Sequence, residues 1–370
     1  MSSEPINAEV LAVIVAMVDG EPCVLTLPHS ARLPAGPLLP GHRSLQTAVR
    51  AWVEEQTGLT VGYLEQLYTF ADRDRDHSGT RTISVSYLGL VRGLNTKGGR
   101  WRSWYSLFPW EDRRDGATPL TDVIGPALNR WATGSDPSRH TNSDDAAPER
   151  RSTESDLLHE AGADPSLHTN SEHVASPAHT HDQEVEGHAR GEARADAAAR
   201  WDRCAVDFGL DGRPWQPDLA LQRYEVLWEA GLVPESPDER RRAATPAGNR
   251  IEWWQQAPGV PGERMDGDHR RVLATGIARL RSTIQYRPVV FELMPEEFTL
   301  SQLQACVEAL GGQDIHTQNF RRLVEQQQLV EETGGRTSTR GRPARLYRFR
   351  QEILQERRAA GTKLPTPRSR

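Results

Sequence analysis

Gln318, Asn319, Arg321 and Arg322 fall within five positions at the start of a segment whose apolar residues, Phe320, Leu323 and Val324, recur at helical spacing. Gln and Asn match adenine, and Arg matches guanine, through paired hydrogen bonds, so this helix end carries the chemistry to read base edges. A second cationic set follows in a glycine-rich run: Arg336, Arg340, Arg342 and Arg345 are placed to neutralise phosphates or enter a minor groove. A different chemistry is suggested far upstream. Glu54, Glu55 and Gln56 on one predicted helix raise the question of a divalent metal held against a phosphate, which needs hard oxygen ligands converging from one face. Cys23, Cys204 and Cys306 are isolated, with no CxxC pair, which argues against a zinc framework and fits a reducing compartment.

The elements that must position these residues follow from periodicity and caps. Leu300, Leu303, Val307 and Leu310 form one apolar face of a helix that Thr299 caps and Gly311-Gly312 ends. A short turn leads to a second helix over 317–328, and the pair reads as a helix-turn-helix whose second member presents its N-terminal residues. Beyond Leu329 two strands with a basic tip form a wing, Tyr347 and Phe349 alternating with Arg348 and Arg350. Upstream, the apolar runs Val10–Val18 and Cys23–Leu27 flank Asp19-Gly20 and predict a hairpin. Leu45, Ala48, Val49, Trp52 and Val53 then make a helical stripe between Ser44 as cap and Gly58 as stop, which puts Trp52 in the core. Strands are predicted over 63–70 and 83–91, giving a layered α/β module.

The 370 residues carry a formal charge of −6, which by itself discourages a nucleic-acid role. That average hides two opposed segments. Residues 131–200 hold fourteen acidic side chains against six arginines, and 132–199 has no aromatic residue, so this insertion is expected to be disordered. Residues 319–370 hold thirteen basic side chains against five acidic ones, the footprint of a nucleic-acid binder. Only Lys97 and Lys363 are lysines, so the cations are almost entirely arginine, the side chain suited to bidentate contacts. The run Val10–Val18 is too short to span a bilayer and has no basic leader, so a soluble, cytoplasmic protein without a membrane partner is expected.

The stretch from Leu33 to Leu59 resembles a Nudix box, GX5EX7REUXEEXGU. Counting back from Gly58 puts Ala51 and Trp52 at the pattern's Arg-Glu, with Glu55 and Gln56 at its paired Glu positions. Counting forward from Gly36 keeps Arg50, Glu54 and Glu55 but puts His42, Ala51 and Thr57 at the loop Glu, the first helical Glu and the final Gly. Neither register is complete, which argues against an enzyme. The segments 63–70 and 83–88, and above all 268–281, 291–304, 319–322 and 341–349, are similar to the Nudix-related transcriptional regulators of the NrtR family. That resemblance implies an α+β chain: a Nudix-like α/β/α sandwich over 1–130, completed by a last helix in 264–286, and a winged helix-turn-helix with a disordered tail over 287–370. Residues 131–200 would be the disordered insertion and 201–263 a partly helical one.

The resemblance also implies an effector, ADP-ribose or a related nucleotide sugar, bound near Tyr68, Phe70, Arg75 and Glu55, with no required cofactor and no metal. It implies double-stranded operator DNA as partner, a homodimer, and repression of NAD or sugar metabolism genes. The alternative is a metal-dependent ADP-ribose or nucleotide-sugar pyrophosphatase with an accessory C-terminal module.

Overall fold

A computed structural model describes residues 6–28, 31–72, 81–114, 116, 120–134, 178–236, 262–337 and 343–350. The chain begins with the expected hairpin, β1 (Asn7–Val18) and β2 (Glu21–Thr26), paired antiparallel. Asp19 and Gly20 both have positive φ, 51° and 84°, so the two-residue turn needs the glycine and twists with the strands it joins. β3 (Ala35–Pro37), β4 (Tyr63–Phe70), β5 (Thr82–Leu90) and β6 (Arg100–Ser103) complete a sheet of order β4-β5-β1-β2-β6, with β3 on the free part of β1. β1 and β5 run parallel and the other pairs antiparallel.

The helix α1 (Leu45–Thr57) starts where Ser44 accepts a hydrogen bond from the Thr47 amide and stops at a left-handed Gly58, as its sequence predicts. It covers one face of the sheet, burying Ala48, Val49 and Val53 against Val10, Ala12, Ile14 and Tyr87. Trp52 departs from expectation. It is only half-buried, its ring lies over Gly36, and its Nε1 donates to the Pro37 carbonyl at 3.0 Å, so it edges the core instead of filling it.

After β6 come α2 (Trp104–Leu107) and a 3-10 turn (Pro109–Glu111), then α3 (Gly125–Thr133). The long α4 (Ala178–Phe208) corrects one expectation: from Ala178 onward the residues assigned to a disordered insertion are helical. Lack of aromatics rules out a core, not a helix, and 191–200 consists mainly of Ala, Arg and Glu, which are strong helix formers. The rest of that tract lies outside the described residues. A 3-10 turn (Pro217–Leu219) and α5 (Ala220–Glu229) follow, and both pack on α6 (His269–Ile284), which contacts β1, β4 and β5 and completes the sandwich.

The C-terminal part opens with a 3-10 turn (Val289–Glu292). It continues through α7 (Leu300–Gly311), α8 (Thr317–Gln327) and the two-stranded wing β7 (Val330–Arg336) and β8 (Arg345–Phe349). Thr299 and Gln302 close a reciprocal capping box at the start of α7. Phe298, Leu303, Val307, Leu310, Phe320, Val324 and Leu329 form the buried interior, and Leu323 is half-buried. The wing is fastened by a Phe298–Tyr347 bridge, with backbone bonds of 2.9 and 2.8 Å, and by Phe291 stacked on Phe349 at 4.3 Å.

The chain divides into two compact units, one of 129–202 and one comprising the remainder, in which the sandwich and the winged helix lie together. In the smaller unit the Arg200 guanidinium donates to the Ala132 carbonyl at 3.1 and 3.2 Å.

Candidate nucleic-acid interface and sensor surface

The start of α8 has the burial pattern its sequence predicts. Phe320 and Val324 point into the interior, which leaves Gln318, Asn319, Arg321 and Arg322 exposed together. The turn before them is held by two side chains from α7, Gln304 and Glu308. The Gln304 amide donates to Glu308, to the Ile315 carbonyl at 2.9 Å and to Thr317 at 3.2 Å, while Glu308 also accepts from the Ile315 amide. The helix therefore enters its site from a fixed turn, and the N-terminal end carries the partial positive charge that attracts phosphate.

Arg336 and Arg345 are exposed and face each other directly across the wing's ladder. Like charges opposed in this way are unfavourable until an anion sits over them. Sequence reasoning missed that the wing supplies its own counter-charges: Arg345 pairs with Glu332 at 2.6 Å and Arg348 with Glu331 at 2.6 Å. Hydrogen bonding to Glu332 accordingly raises the affinity of the Arg345 guanidinium for its proton. Arg340 and Arg342 lie outside the described residues.

Of the proposed sensor residues, Tyr68 and Phe70 lie together, their rings 5.1 Å apart. Glu55 is exposed on α1. Phe70 lies opposite Ser84, on the face of the sheet away from α1, and is 2% exposed. It is a core ring, covered by Tyr68 at 5.1 Å and by the Arg271 guanidinium at 5.6 Å. Arg271 is itself held by Glu225 at 2.9 Å and Asp72 at 2.8 Å. Tyr68 is 59% exposed at a bulge in the edge strand, where Ser86 bonds both its amide and its carbonyl. Arg75 lies outside the described residues.

On α1 the amide of Gln56 grips the backbone of β3, accepting from the Ala35 amide at 3.2 Å and donating to the Ala35 carbonyl at 2.7 Å. A carboxylate makes only the first of these bonds. Arg50 is likewise occupied, donating to the Val61 and Gly62 carbonyls. Among the described residues no three His, Cys, Asp or Glu side chains gather as metal ligands, and no helix is long and apolar enough to cross a membrane.

A third constellation has no signature in the sequence. Glu111 is fully buried between Arg223, which meets both carboxylate oxygens at 2.6 and 2.8 Å, and Arg281, which bonds the same carboxylate. Burial pushes its pKa up, but the two guanidiniums outweigh that and hold it below the usual carboxylate range. Nearby, burial raises the pKa of Asp207 against the opposing pull of Arg203 and Arg223. Residues 111, 223 and 281 stand far apart in the chain, and no spacing rule links them.

The fold and its exposed surfaces define a class: an α/β sandwich coupled within one compact unit to a winged helix. Residues 290–349 match the family described as the NrtR DNA-binding winged helix domain. The ADPR responsive transcriptional repressor NtrR of Acinetobacter baylyi is 38% identical over 82 residues, which is 22% of this chain and 33% of that protein. The crystal structure of Shewanella oneidensis NrtR complexed with a 27mer DNA aligns over 94% of this chain and 95% of its own at 17% identity, TM-score 0.46. The NUDIX domain of that protein complexed with ADP ribose covers 30% of this chain and 79% of its own at 22% identity, TM-score 0.25.

Proposed function

We propose that this protein is a DNA-binding transcriptional regulator, a repressor, whose Nudix-like sandwich senses ADP-ribose or a related nucleotide sugar. One observation carries the reading: a winged helix of the NrtR DNA-binding type presents Gln318, Asn319, Arg321 and Arg322 together on the exposed start of its second helix. In this reading those four side chains read the major groove. Arg336 and Arg345 hold phosphates, joined by Arg340 and Arg342 from the wing tip.

The effector enters on the sandwich near Tyr68, with Arg75 and Glu55 as further candidates and Phe70 supporting the wall from behind. The support for an ADP-ribose effector is the Acinetobacter relative, an ADPR responsive repressor. The Gln56 grip on β3 supports a sensing role over hydrolysis, because an amide committed to the backbone supplies no ligand to a metal. The protein acts in the cytoplasm as a homodimer on palindromic operators of NAD or sugar metabolism genes, needing no cofactor beyond the effector.

A gel shift on the DNA upstream of its own gene, with and without ADP-ribose, tests this. Binding released by ADP-ribose is the expected result. Magnesium-dependent ADP-ribose hydrolysis abolished by Glu55→Gln, with no shift of DNA, would overturn it in favour of a pyrophosphatase.

A further inference from the structure

At the end of α7 the Glu308 carbonyl is bonded by the Gly312 and Gln313 amides, but three further carbonyls take donors from outside the winged helix. A helix C-terminus leaves carbonyls without intrahelical partners. Here Tyr105 donates to the Ala309 carbonyl at 2.5 Å, the Arg281 Nε to the Leu310 carbonyl at 2.8 Å, and the Arg113 amide to the Gly312 carbonyl at 2.8 Å. Arg281 is the same side chain that bonds Glu111, so the negative end of α7 and one buried carboxylate share a single guanidinium. Gly312, at φ 68°, lies so close to Glu111 that a Cβ there would stand 2.1 Å from the Glu111 carbonyl oxygen. Five residues later α8 begins.

The other half of the arrangement comes from the region that the sequence treats as an insertion. Arg223 grips Glu111 and stacks 3.8 Å from the Trp215 ring, while the Pro217 carbonyl accepts from both Arg223 and Arg281. Arg223, Glu111 and Arg281 are essentially without solvent contact. Such a cluster has one well-defined arrangement, because any displacement leaves a buried charge unpaired.

We propose that Glu111, clamped between Arg223 and Arg281, is the joint through which the sandwich fixes α7 and thereby the placement of α8 on DNA. Glu111, Arg223 and Arg281 are positioning residues, and the segment from Asp207 to Arg223 is a working part of the regulator. The transmission of an effector signal through this joint rests on the regulatory reading given above; the mechanical coupling does not.

The test uses the full chain, two variants and one control variant. Arg223→Met keeps an apolar stem under Trp215 but removes the grip on Glu111. Gly312→Ala breaks the close approach without removing a charge, and Gly20→Ala, at another positive φ with open space around it, controls for backbone strain alone. In Arg223→Met and Gly312→Ala, amide hydrogen exchange over 309–320 is expected to accelerate at least about tenfold while β1 and β5 amides stay protected. The effect of ADP-ribose on operator affinity is expected to collapse to within about twofold of none, with calorimetric ADP-ribose affinity within about threefold of wild type. Unchanged exchange over 309–320 in a folded variant overturns the joint, as does an undiminished effector response. If the wild-type chain itself shows no response to ADP-ribose, the effector reading fails, and the exchange measurement alone decides the joint.

Discussion

Arg345 and Arg281 each bind a glutamate, one in water at the edge of the wing and the other where neither side chain meets solvent. Arg345 is free to trade Glu332 for a phosphate, because water screens the pair and rehydrates whichever partner is released. Arg281 has no such freedom, since releasing Glu111 strands two charges in a dry interior. The same chemical pair is thus an exchangeable contact in the wing and a fixed hinge pin in the body. The difference lies in the surroundings, not in the residues.

The largest effect expected is at the joint. Glu111→Ala leaves two buried guanidiniums without their counter-ion and should cost about 3–5 kcal/mol of unfolding free energy, read by urea denaturation. A loss under about 1 kcal/mol would erase the contrast with the wing. On the DNA side, Arg321→Ala and Arg322→Ala should each weaken operator binding by about 1–3 kcal/mol in a titration, with the thermal midpoint unmoved; unaltered affinity would dismiss α8 as the reading helix.

Thr299→Ala removes one arm of the capping box on α7 and should cost about 1 kcal/mol of stability. Acidification gives a graded version of the first experiment. Glu111 sits below its ordinary value of 4.5, so its stabilising contribution is complete above that value and is lost as pH falls through the depressed one. Asp207, raised by burial, slopes the other way, growing more costly as pH rises and it ionises. Glu111→Gln should therefore flatten the fall in stability as pH drops below about 4.5, and a profile parallel to wild type would count against the assignment. The smallest change is predicted for Arg345→Ala. Its unfolding midpoint should match wild type, while the salt dependence of DNA binding loses about 0.9 in log–log slope.

Much of the fold is legible in the sequence because it is written in local rules. Asp19-Gly20 fixes a hairpin, Ser44 and Gly58 bound α1, and Thr299 with Gln302 opens α7, each acting within a few residues. The exposed set on α8 is legible for the same reason, since helical spacing decides which side chains are buried and which remain outside. The sensor surface is less so. Tyr68 and Phe70 differ by two positions on one strand, yet a bulge between Gln66 and Thr69 leaves the first in solvent while the second is in the core. Simple alternation does not reveal such a bulge.

The sequence by itself determined the N-terminal hairpin, the capped helices α1 and α7 and the polar start of α8, because these depend on periodicity and on neighbours close in the chain. It also exposed the opposed charges of the acidic insertion and the basic C-terminal segment. Only the tertiary structure decided that Glu111, Arg223 and Arg281 meet, that Gln56 holds β3, and that Phe70 belongs to the interior. These depend on burial and on chain crossings more than a hundred residues apart in the case of Glu111, where the cost of an unpaired charge is set by the absence of water, a property no single residue carries.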